Sequence, residues 1–138
     1  FKEVVTRHTS GWFKVAPEHT EDKVLKLMAK PPFALFSVLR REFDNLMRKE
    51  KLSYKIVPYF ISSHPGCELN DMIALSKNKD LKGISLEQVQ DFTPTPMTTS
   101  SVMFYTGIDP KNMQKLFVER DIERKKEQKS FFFKKSKR

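Results

Sequence analysis

The chain of 138 residues contains a single cysteine, Cys67. That excludes an internal disulfide and any metal site made from several thiolates of this chain, and it fits a reducing, cytoplasmic setting. No apolar run approaches the roughly 20 residues that cross a bilayer, so no membrane partner is expected, and the start has no signal-peptide pattern. Internal repeats and low-complexity linkers are absent too. The chain opens on Phe1 rather than Met, inside what reads as a helix, and is expected to be an excised fragment. Apolar residues are somewhat few at 38% and charged ones somewhat many at 31%, yet twelve Phe argue against disorder throughout. The expectation is one domain or a piece of one, long enough to bury a core of its own.

What is present is unevenly spread. Residues 1–110 carry 15 Lys and Arg against 13 Asp and Glu, whereas residues 111–138 carry 11 against 4, so the net charge of +9 sits mostly in the tail. Attraction to RNA or another anionic partner would come from there.

The stretch Tyr54 to Cys67 organises the rest. Ile56, Val57, Tyr59, Phe60 and Ile61 have the composition of a strand buried on both faces. The run then turns polar at Ser62, Ser63 and His64 and closes on the turn formers Pro65 and Gly66. Ligands of α/β proteins sit at the carboxyl ends of parallel strands, which makes this cluster a candidate site. The plainer reading is that these residues only build a turn.

Along the chain, Phe1 to His8 reads as the end of a helix stopped by Ser10-Gly11, and Trp12 to Ala16 as a short strand. Thr20 is the expected N-cap of a helix carrying Val24, Leu25, Leu27 and Met28, which Pro31-Pro32 stops. From Phe33 to about Glu50, Phe36, Leu39, Phe43, Leu46 and Met47 recur at helical spacing, with Arg40, Arg41, Arg48 and Lys49 on the solvated face. Asn70 is the expected cap of a helix with Met72, Ile73 and Leu75 inward, ending near Gly83. Leu86 to Phe92 is a third strand candidate, followed by the extended loop Thr93-Pro94-Thr95-Pro96. Beyond Pro110, Leu116 to Val118 is a short strand candidate, Asp121 to about Phe133 a charged helix and Lys134 to Arg138 a frayed end. Alternating strands and helices predict an α/β fold with a parallel sheet and right-handed crossovers, whose strands end on one polar edge. The division expected is a body of 1–110 and a basic, mostly helical extension of 111–138.

Four motifs carry a resemblance: Lys14-Val15-Ala16-Pro17-Glu18-His19, Val57 to Cys67, Glu87 to Pro96, and Tyr105-Thr106-Gly107-Ile108-Asp109-Pro110. In that order they resemble the YgiQ-type radical S-adenosylmethionine proteins. The likeness covers about residues 8–110 and is weaker beyond. It implies the later strands of a partial (β/α) TIM-like barrel. It also implies a 4Fe-4S cluster held by three cysteines spaced Cys-x-x-x-Cys-x-x-Cys, and S-adenosylmethionine cleaved to a 5′-deoxyadenosyl radical. This sequence departs from the family in lacking those cysteines, so neither cluster nor cofactor is expected on this chain alone, and its first partner would be the missing N-terminal half of the barrel.

By position, the resemblance implies Glu18 as an acceptor for the cofactor's ribose or amino group, Ser62, Ser63 and His64 as polar contacts, and Gln90, Asp91, Thr93 and Thr95 lining the cavity. Each has a plainer reading: Glu18 as a helix cap, Ser62 and Ser63 as turn formers, Asp91 as half of a salt bridge, His64 as structural and Cys67 as inert. Two other functions stay open. One is a binding module that uses the basic tail on RNA; the other is a truncated sheet that self-associates through its exposed edges.

Overall fold

The computed structural model describes residues 1–84, 86 and 88–133. Three strands, β1 (Trp12–Glu18), β2 (Lys55–Ser62) and β3 (Gln88–Asp91), form one parallel sheet in the order β1-β2-β3. The helices are α1 (Lys2–Arg7), α2 (Asp22–Leu27), α3 (Ala34–Glu50), α4 (Leu69–Ser76), α5 (Thr99–Thr106) and α6 (Ile122–Phe133), with a 3-10 turn at Lys79–Leu81. The α/β class and the parallel sheet are as the sequence predicts. What is present is an open three-stranded sheet.

Strand periodicity divides each side-chain row between two faces. Phe13 and Val15 of β1, Ile56 and Phe60 of β2 and Val89 of β3 join the core with Val24, Leu25, Phe36, Phe43, Leu46, Met47, Met72 and Leu75 of the helices. Phe13 stacks on Phe43 with ring centroids 5.8 Å apart. Each large side chain withdrawn from water here contributes about 1.5–3 kcal/mol. The opposite face, made by Trp12, Lys14, Ala16, Val57, Tyr59, Ile61, Gln88 and Gln90, carries no buried residue. β2 is therefore covered on one face only, which corrects the expectation of a strand buried on both.

The interior of β2 holds Pro58, which has no N–H to give to the ladder. Opposite it, β1 carries an extra residue: Val15 pairs with Pro58 but Glu18, three residues on, pairs with Phe60, two residues on. This bulge carries β1 past the expected Ala16 through Pro17 and leaves Glu18 at its end with φ +66.

Other boundaries also differ. Glu21, not Thr20, precedes the first turn of α2, and the Thr20 hydroxyl donates to the Glu21 carboxylate at 3.1 Å. Glu68, not Asn70, occupies the cap position of α4, and its N–H donates to Asp71 Oδ2 at 2.8 Å. α4 stops at Ser76. α3 keeps its expected span, but Arg40 is not simply solvated, because its guanidinium donates to the carbonyls of Asp80 and Lys82. β3 is the core of the predicted 86–92 strand, of which Glu87 lies outside the described residues. Leu116 to Val118 is not a strand; an isolated antiparallel bridge joins Ile108 to Lys115 instead. The predicted tail helix is α6, whereas 134–138 lie outside the described residues.

Candidate functional site

The carboxyl ends of β1 and β2 both carry a non-glycine residue in the left-handed region, Glu18 at φ +66 and Ser63 at φ +58. Such residues cost about 1–3 kcal/mol each and cluster where backbone must be aimed at something. Glu18 is only 8% exposed. Its Oε1 meets Lys30 Nζ at 3.1 Å, while Oε2 is buried without a hydrogen-bond partner. A half-satisfied buried carboxylate is costly unless a donor completes it. It does not cap a helix.

The neighbouring bare face supplies a second polar pair. Tyr59 donates its hydroxyl to Gln90 Oε1 at 2.7 Å, joining β2 to β3. Partial burial first, and then the nearby Glu18 charge, hold the Tyr59 phenol above its usual range. Gln90 is thus an exposed residue of the bare face, and Thr93 and Thr95 are exposed on the loop that follows β3. Glu18 ends β1 in register with Phe60 and within electrostatic reach of Tyr59, while Gln90, Thr93 and Thr95 lie at the end of β3, on the other side of β2.

Four other predicted site residues lie on the helix side and are spent on the protein itself. Ser62 donates to Asp91 Oδ1 at 2.8 Å, and Asp91 Oδ2 is paired with Lys129 of α6 at 2.6 Å. The Ser63 amide and hydroxyl both donate to Gln128 Oε1 of α6, at 3.0 and 3.1 Å. Gln128 is 1% exposed. His64 faces the Pro65 carbonyl through Nδ1 at 2.8 Å, so Nδ1 carries the proton and Nε2 accepts from the Ser100 hydroxyl at 2.8 Å. Burial holds the His64 imidazole down to about 4. The sequence reading grouped Ser62, Ser63, His64 and Asp91 with Glu18 and Gln90; the fold parts them.

Beneath this cluster His19 and Cys67 meet, 3.5 Å between Nε2 and Sγ. The Glu21 amide donates to His19 Nδ1 at 3.0 Å, which places the imidazole proton on Nε2, toward the sulfur. Burial dominates both groups, lowering His19 to about 4 and raising the Cys67 thiol to about 12. Both stay neutral near pH 7, and the thiol is not a nucleophile there.

Among the described residues no group of three or more His, Cys, Asp and Glu is placed to hold a metal ion, and no helix is long and apolar enough to cross a membrane. The residues that the sequence does not single out are Lys30, Tyr59, Ser100, Gln128 and Lys129. Only Tyr59 carries any signal, a phenol hydroxyl within a strand that runs into a polar end.

Comparison with known proteins gives the arrangement a context. Over 132 residues the chain is 45% identical to a UPF0313 protein of Bacteroides thetaiotaomicron, covering 96% of this chain and 21% of that protein. Similar matches are a UPF0313 protein of Clostridium perfringens, 46% identical over 125 residues, 91% of this chain and 19% of the relative, and one of Clostridium botulinum, 42% identical over 130 residues, 94% and 20%. The chain is a relative of the UPF0313 proteins. It spans about a fifth of the length of these UPF0313 relatives. A domain of unknown function, DUF3362, matches residues 87–135, from the start of β3 through α6. No solved structure matches the chain.

Proposed function

We propose that this chain supplies the later strands of a (β/α) barrel in a YgiQ-type radical S-adenosylmethionine protein, and that its bare sheet face lines the barrel interior at the cofactor end. The observation that carries this reading is a parallel sheet in sequential strand order, packed by helices on one face only. Parallel sheets are almost always covered on both faces, and in a barrel the inner row is closed by further strands of the same sheet. The free edge of β1 is where a preceding strand would pair, with α1 as its crossover helix.

The donor set is unsuited to a 4Fe-4S cluster: one buried cysteine, raised to about 12, cannot supply three thiolates. The cluster would belong to other parts of a longer polypeptide. The cofactor itself is better matched. The unpartnered Oε2 of Glu18 suits an ammonium or ribose hydroxyl donor, and the Tyr59–Gln90 pair and the Thr93 and Thr95 hydroxyls supply further polar groups across the carboxyl ends of β2 and β3. When bound and reduced at a cluster, S-adenosylmethionine supplies a carbon-centred radical; the chain's own part is to bind and orient. Ser62, Ser63, His64 and Asp91 support that rim from behind through Gln128, Lys129 and Ser100.

A second reading, the basic tail as an RNA arm, stays open: Gln128 and Lys129 of α6 are engaged by Ser63 and Asp91, Lys126 pairs with Glu123 and Lys125 lies over Phe104, while the basic residues of 134–138 lie outside the described residues. Self-association through the free β1 edge and the bare face follows from the same exposure. Sedimentation should show a concentration-dependent dimer of the isolated chain, and a strict monomer at high concentration would argue against an exposed pairing edge. The function itself is tested by calorimetric titration with S-adenosylmethionine. A polypeptide extended upstream to the relatives' length and reconstituted without oxygen should bind, and the isolated chain should bind weakly or not at all.

A further inference from the structure

On the helix side of the molecule, away from the bare face, a cleft of about 570 Å³ opens between α2, the turn after β2, the first turn of α5 and the 109–117 loop. Four lysines line it, Lys23 and Lys26 from α2 and Lys111 and Lys115 from the loop, together with Asn112 and Gln114. Lys23 is committed to Asp71 at 2.9 Å. Lys26, Lys111 and Lys115 are exposed and form no ion pair among the described residues. Two carboxylates also border the cleft. Glu68 is exposed on its rim, and buried Asp109 is engaged at Oδ1 by the Lys111 amide at 3.0 Å. The lysines therefore outnumber the acids, and three ammonium groups are brought together without neutralisation.

The walls are held in place rather than loosely strung. The Gly66 amide donates to the Phe117 carbonyl at 2.7 Å, Leu116 to Gly107 at 2.8 Å and Asp109 to Gln114 at 2.9 Å. On the α2 side Gly66 abuts Leu27 so closely that a Cβ there would lie 2.2 Å from Leu27 Cδ1. The backbone that presents Lys111 and Lys115 is thereby fixed against the backbone that presents Lys26.

We propose that this cleft binds a phosphate-bearing ligand of nucleotide size. Its volume falls in the range of small-molecule sites. Separate ammonium groups, rather than planar guanidinium forks, act as point charges and suit anionic charge distributed over two or more phosphates. Asn112 and Gln114 add neutral donors. S-adenosylmethionine carries no phosphate, so the ligand is not the cofactor assigned to the bare face, and the proposal does not depend on that assignment.

The test is calorimetry with ADP and, separately, with a short single-stranded RNA at about 50 mM salt, a concentration at which phosphate contacts are strong. The chain is compared with a Lys26→Ala, Lys111→Ala, Lys115→Ala variant and with a charge-matched control, Lys51→Ala, Lys77→Ala, Lys79→Ala. All six lysines are exposed, so the fold should survive in both variants. The expected result is ADP binding that falls at least about tenfold in the cleft variant and not in the control, and that weakens steeply with salt. Binding of RNA but not ADP, with the same dependence on the cleft lysines, would also support the site and assign its phosphates to a nucleic-acid backbone. Failure of both ligands to bind at millimolar concentration, or an equal loss in the control, would overturn it.

Discussion

Tyr59 and Phe60 are consecutive residues of one strand, yet they live in different surroundings. Phe60 is fully buried among the helices, whereas Tyr59 stands half-exposed on the bare face with its hydroxyl on Gln90. The same division separates Asp91, tied to Lys129, from its neighbour Gln90. The covered face is where the chain's stability resides, and the bare face is where its unspent polar groups and free sheet edge remain. A polar residue at a strand end is thus not yet a site residue: the face it occupies decides what it can reach.

The largest effect should come from acid, and it belongs to the covered side. His19 and His64 are both held to about 4 in the folded state against an ordinary 6.5. Because the unfolded chain binds these protons first, the stabilisation is complete above about pH 6.5 and is lost as the pH falls toward 4. The loss by pH 4 is about 3 kcal/mol per histidine. Urea unfolding across this range should show a steep fall in midpoint, and a pH-independent midpoint would refute the neutral, buried assignment. Next comes truncation within β2. Phe60→Ala should cost about 3–5 kcal/mol, while Val57→Ala on the bare face should cost about 1 kcal/mol or less; equal losses in denaturant titrations would erase the distinction between faces. Gln128→Leu removes the acceptor for two buried Ser63 donors and should cost about 1–3 kcal/mol. Its loss should also speed the exchange of protected amides of β2, which hydrogen exchange reads directly. The smallest stability effect is expected for Glu18→Gln, within about 1 kcal/mol, because weakening the pair with the exposed Lys30 is offset by removing a buried, half-satisfied charge.

Much of the fold was legible in the sequence, because helix periodicity at Phe36, Leu39, Phe43, Leu46 and Met47 and the β-branched run of β2 are strong local signals. The two faces of β2 were not, since Ile56, Val57, Tyr59, Phe60 and Ile61 are apolar or aromatic on both sides. Nothing local marks which row has helices on it. The β1 bulge follows from Pro58 pairing across the sheet, a relation between residues over 40 positions apart that no single stretch reveals. α5 went unread because Thr99 to Thr106 is rich in hydroxyl residues and has apolar side chains around its whole circumference, so no helical stripe stands out. At the candidate site, Glu18 and Gln90 enter through the resemblance rather than through a local signal, and the partition between the two faces has no local signal at all. Gln128 and Lys129 look like ordinary members of a charged, solvated helix until α6 is seen packed against α4 and the ends of β2 and β3.

The central claim, that Glu18 and the bare face form a cofactor rim while Ser62 supports it from the other side, is tested most directly by one paired titration. S-adenosylmethionine binding is measured on the upstream-extended, anaerobically reconstituted polypeptide with Glu18→Gln and with Ser62→Ala. The account predicts a loss of at least about tenfold for Glu18→Gln, the scale of one charge-assisted hydrogen bond, and near-unchanged affinity for Ser62→Ala. Unchanged binding in Glu18→Gln, or no binding by the extended polypeptide at all, would contradict it.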